Sequence, residues 1–107
     1  GDNTVSWVWK SDAIVTVTAQ MHGKGWAAVG LGDSMVKADM IVASCDLGEN
    51  HVQLYKSTGY KPPTLLNEQQ INESYISVHS SKQGDMSCNA QGINADKLFV
   101  FRFDIDT

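Results

Sequence analysis

Apolar side chains recur at every second position along most of this chain, a period that builds strands and leaves no room for long amphipathic helices. Val5, Trp7 and Trp9 share one face of a first expected strand. Over Ala13 to Gln20, Val15, Val17 and Ala19 oppose Ile14, Thr16 and Thr18. Trp26 to Leu31 is apolar on both faces, so it is expected in the middle of a sheet. Asp39 to Cys45 and His51 to Tyr55 flank the turn Asp46-Leu47-Gly48-Glu49-Asn50 and read as a hairpin. Tyr75 to His79 is a further strand. Leu98 to Ile105 is the last, with Phe99, Phe101, Phe103 and Ile105 on the buried face and Arg102, of opposite parity, facing outward or capping a neighbouring acid. Pro62-Pro63 makes Ser57 to Pro63 a loop. Leu65 to Ile71 reads as a short helical turn or an irregular edge, and Ser80 to Asp96 as a long polar loop. Short strands punctuated by turns predict an all-β, Ig-like antiparallel β-sandwich.

The 107 residues suffice for one domain with a modest core, spanning residues 1–107. A final strand with so apolar a face is expected to lack a neighbour. That reads as a domain truncated at its C-terminal end, or as an open sheet edge that pairs with another chain. The net charge of −4 and the absence of any basic run argue against nucleic acid and against an anionic membrane surface. No apolar stretch approaches the ~20 residues that span a bilayer. With no signal peptide visible, the chain reads as either cytosolic or already processed.

The run from Gly25 to Met40 carries the strongest chemical signal. It reads as a buried strand, a glycine-rich turn and a second strand. Gly30 and Gly32 let the backbone bend and leave room for a flat partner to approach. Met35 follows the turn, where its thioether is either a gap-filler or a soft metal ligand. Met40, inside the following strand, reads as core. Trp7, Trp9 and Trp26 either wall a flat cofactor or fill the sandwich core. Lys56, Tyr60 and Lys61 lie where they can contact a carboxylate or propionate, or simply form a solvated loop. Asp33, Asp39 and Asp46 show no EF-hand spacing, and His22 and His51 have no partner at zinc-ligand spacing. No nucleophile elbow, phosphate loop or His-Glu-x-x-His pattern appears, so the chain is not expected to be an enzyme by itself.

Gly25-Trp26, Gly30-Leu31-Gly32 and Met35-Val36-Lys37-Ala38-Asp39 resemble the Gly-Trp-x-x-x-Gly segment and the Met-x-x-Ala-Asp motif of the DOMON domain family. Tyr55 to Pro63 is similar to the family's strand-then-proline connection. Phe99 to Ile105, with Arg102 embedded, is similar to its late aromatic strand. The resemblance implies a β-sandwich, extracellular or lumenal, that in the family's cytochromes holds b-type haem between a Met and a His. Carried onto this chain, it makes Met35 an axial iron ligand, with Trp26, Gly32 and Tyr60 against the haem. It also implies a redox partner domain or protein, and a place within a larger oxidoreductase.

The family's histidine follows its late aromatic strand, and this sequence stops at Thr107. The chain is then a fragment, or one of His22, His51 and His79 has taken the role, or the domain binds no haem. His79 is the best placed of the three, by strand parity and by the loop after it. The competing reading is a haem-free adhesion or binding module that takes a sugar or a protein surface. Cys45 and Cys88 form either one disulfide, worth roughly 3–4 kcal/mol, or two buried thiols. An oxidising compartment is favoured by the resemblance and by the glycosylation sequon Asn72-Glu73-Ser74.

Overall fold

A computed structural model describes residues 3–34, 37–46, 49–59, 61–79 and 97–107. The strands are β1 (Thr4–Trp9), β2 (Ile14–Gly23), β3 (Trp26–Ser34), β4 (Lys37–Asp46), β5 (Glu49–Ser57), β6 (Thr64–Leu65), β7 (Ile76–Val78) and β8 (Lys97–Asp106). Among the described residues a single helical element, α1 (Glu68–Glu73), lies between β6 and β7. Sheet one has the order β1-β2-β8-β7 and sheet two the order β3-β4-β5-β6, every pairing antiparallel. The expected all-β sandwich is therefore what the chain builds.

Alternation explains the core. β2 and β8 pair along ten residues, with Val17 opposite Phe103, Ala19 opposite Phe101 and Met21 opposite Phe99. These residues face inward, together with Ile76 of β7. Sheet two answers with Ala27, Ile41, Ala43 and Leu54. Large phenylalanines on one sheet meet small alanines on the other, which lets the layers interlock at interior packing density. β2 packs on β3, β8 on β4 and β7 on β5. Arg102, of opposite parity, is exposed as expected.

Three expectations are corrected. β3 is not central: it forms the edge of sheet two, although both its faces carry apolar or small residues. β8 is not an open edge: it lies inside sheet one, between β2 and β7. Trp7 and Trp9 are not core, being 66% and 60% exposed. They share the inward parity of Val15 and Val17, their register partners. Sheet two, however, ends at β3 beneath β2, so β1 overhangs it. The segment from Leu65 to Ile71 realises both expected forms, ending β6 and starting α1. The helix begins with a capping box: Gln70 N–H donates to Asn67 Oδ1 at 2.9 Å and Asn67 N–H donates to Gln70 Oε1 at 2.9 Å. Residues 80–96, including Cys88, lie outside the described residues, and so does the Cys45–Cys88 pairing.

The solvent face of sheet one holds a small charge cluster. Thr16 Oγ1 donates to Asp104 Oδ1 at 2.7 Å, and His79 Nε2 lies 3.0 Å from the same oxygen. Lys10 Nζ is 3.4 Å from Asp104 Oδ2. Partial burial pulls the Asp104 carboxyl upward. The hydrogen bonds from Thr16 and His79, with the charges of His79 and Lys10, outweigh it and hold the group below its ordinary value. A depressed carboxyl contributes stability above its unfolded pKa and loses it as pH falls through the folded value. Urea midpoints are therefore expected to drop below about pH 4, the ordinary carboxylate range. Asp104→Asn should flatten that drop, and a slope identical to the parent's would contradict the assignment.

Candidate functional site

The outer face of sheet two is a shelf built by parity. Ala27, Val29 and Leu31 of β3 pack inward, so Trp26, Ala28 and Gly30 face out. On β4, Ile41 and Ala43 are core residues, so Met40, Val42 and Ser44 share the outer face. Register aligns the strands into rows: Trp26 beside Ser44 beside His51, Ala28 beside Val42 beside Gln53, and Gly30 beside Met40 beside Tyr55. Trp26 is 63% exposed at one end of the shelf. Met40, Val42 and Tyr55 are half-buried within it.

Two glycines shape this surface for different reasons. At Gly30 a methyl group would meet nothing within 4 Å. The chain's own packing therefore does not require glycine there, and the bare backbone leaves a low floor. Gly32 has φ of 156°, a backbone state that side-chain-bearing residues rarely adopt, next to the register shift between Leu31 and Ser34. It turns the end of β3 into its Ser34–Lys37 pairing with β4. At the opposite end, Gly23 closes the corner from β2 to β3. A Cβ there would collide with the Trp26 carbonyl oxygen, so glycine permits the close approach that sets Trp26 at the shelf's start.

The base of the hairpin is tied down from the other side. Tyr75 Oη donates to Asp39 Oδ2 at 2.5 Å, linking β4 to the residue just before β7. Burial, the hydrogen bond to Asp39 and that carboxylate's charge together push the Tyr75 hydroxyl up to about 12. Asp39 is thus a structural anchor at the end of the Met-x-x-Ala-Asp motif. Beside it opens a polar cleft of about 240 Å³, lined by Lys56, Leu66, Gln70 and Glu73. Among the described residues no three His, Cys, Asp or Glu gather where they could hold a metal ion.

The expected site residues fall in different places. Trp26 and Gly32 belong to the shelf strand. Met35 and Tyr60 lie outside the described residues; Ser34 and Lys37 pair at the end of β3 and the start of β4. His79 is not brought to the shelf: it sits on the outer face of sheet one, its Nε2 against Asp104 and its N–H donating to the Arg102 carbonyl at 3.1 Å. His51 stands on the shelf in the row of Trp26. Sequence reasoning missed Met40 and Tyr55 as shelf residues. The usable signal was parity against Ile41, blurred because β4 is apolar on both faces.

A flat, glycine-floored, tryptophan-ended surface with a thioether in it fits a planar apolar group by shape and donor chemistry. Met40 lies in the row of Gly30. Compared with known proteins, the chain matches the family model of the DOMON domain over residues 1–91. No curated protein and no solved structure matches it.

Proposed function

The chain belongs to the DOMON domain family, and we propose from that membership that it is an extracytoplasmic module carrying b-type haem for electron transfer. The observation supporting this reading is the floor at Gly30, open where a methyl would meet nothing, beside the exposed indole of Trp26. Trp26 would wall one edge of the group, Ala28 and Gly30 would lie under its face, and Met35 would offer the thioether ligand. Tyr60 is retained as a contact for a propionate. When bound, the haem supplies one-electron chemistry at a potential raised by thioether ligation. This chain's residues bind and orient it, keep water from its buried face, and leave the catalytic step to a redox partner.

Haemin titration tests the assignment. Binding should quench the fluorescence of Trp26, an effect reduced in Trp26→Phe. Met35→Ala should loosen the haem or lower its potential. An unchanged haem spectrum and potential in Met35→Ala would overturn the ligand assignment.

A second reading rests on the polar neighbours of Trp26. Ser44 stands beside the exposed indole, with His51 beyond it in the same row, an arrangement suited to stacking and hydrogen-bonding a sugar ring. Quenching by neutral oligosaccharides, with none by haemin, would favour that reading.

A further inference from the structure

The side of the sandwich opposite β1 and β3 is bounded by two short edge strands, β6 and β7, with α1 between them in sequence. A cleft of about 460 Å³ opens there between the sheets, lined by Leu54, Leu65, Ile71, Asn72, Ile76 and Val78 among others. Leu65 and Ile71 stand exposed at its mouth. Exposed apolar groups beside short sheet edges invite association unless something covers them. The chain's single Asn-x-Ser/Thr sequence, Asn72-Glu73-Ser74, lies on that rim.

We propose that Asn72 is an N-glycosylation site whose oligosaccharide covers the cleft between β5, β6, α1 and β7. The acceptor geometry favours it. Asn72 is exposed in the last turn of a six-residue helix that buries no side chain. Ser74 has already left the helix, with φ −73° and ψ 147°. So short a helix opens at little cost, presenting the sequon in extended form. In the transfer, the Asn72 amide nitrogen bonds C1 of a lipid-pyrophosphate-linked oligosaccharide and loses a proton. The C1–oxygen bond breaks, and the lipid pyrophosphate departs. The inference rests on the secretory location of the family and not on haem.

The test is secretion of the full chain from a eukaryotic cell, followed by intact mass before and after peptide-N-glycosidase. The expected result is the added mass of one oligosaccharide, removed by the enzyme, lost in Asn72→Gln and kept in Ser74→Thr. An unmodified parent, or added mass that persists in Asn72→Gln, would overturn the site. The secreted Asn72→Gln protein should also bind an apolar dye more brightly than the glycosylated parent. Equal dye fluorescence would overturn the covering of the cleft. Haem content has no part in either readout, so this inference and the haem reading can fail separately.

Discussion

Phe103→Ala is expected to lower the unfolding free energy by about 3–5 kcal/mol, the largest single effect any core substitution here should show. Phe103 has no exposed surface and stands at the crossing of the two sheets. It pairs with Val17 on one side and Val78 on the other. Truncation removes a ring's worth of buried apolar area and leaves a void that the paired strands cannot close, because both neighbours are fixed by backbone ladders. In a small domain such a loss is a large share of total stability. Arg102→Ala, one residue away and outward, should change stability by no more than about 0.5 kcal/mol. Urea denaturation of the two variants reads the contrast directly. Equal losses would mean that the alternation of β8 is misassigned.

Gly30→Val should separate folding from function. The space above Gly30 is open, and valine suits a strand better than glycine does, so the variant should be at least as stable as the parent. A group lying against the shelf floor would meet the new isopropyl group. Haemin affinity is then expected to fall about tenfold or more, equivalent to at least about 1.4 kcal/mol. Undiminished haemin binding in a well-folded Gly30→Val would place the group elsewhere. A loss of both stability and binding would show instead that Gly30 serves the fold.

The aromatic strand β8 was legible because its phenylalanines alternate with polar or smaller residues, leaving only one face to bury. The hairpin of β4 and β5 was legible from its turn residues. The position of β3 was not. Apolar or small residues on both faces say that both faces prefer cover, and β3 proved to be an edge strand with one face on the core and one on the shelf. Sheet order depends on contacts between β2 and β8, about eighty residues apart in sequence, which no local pattern encodes. The same gap explains Trp7 and Trp9: their parity points inward, but only the tertiary arrangement shows that sheet two does not extend beneath them. Trp26 and the glycines were found from residue type. Met40 was assigned to the core because it follows Asp39 inside a strand, whereas parity against the buried Ile41 puts it on the outer face.

The most direct measurement is the absorption spectrum of the purified protein mixed with haemin, before and after dithionite. The haem reading predicts a Soret band displaced from that of free haemin and, on reduction, the α-band of protein-bound b-type haem, both altered in Met35→Ala. A spectrum identical to free haemin in both states would contradict it and leave the shelf as a binding surface for another class of ligand.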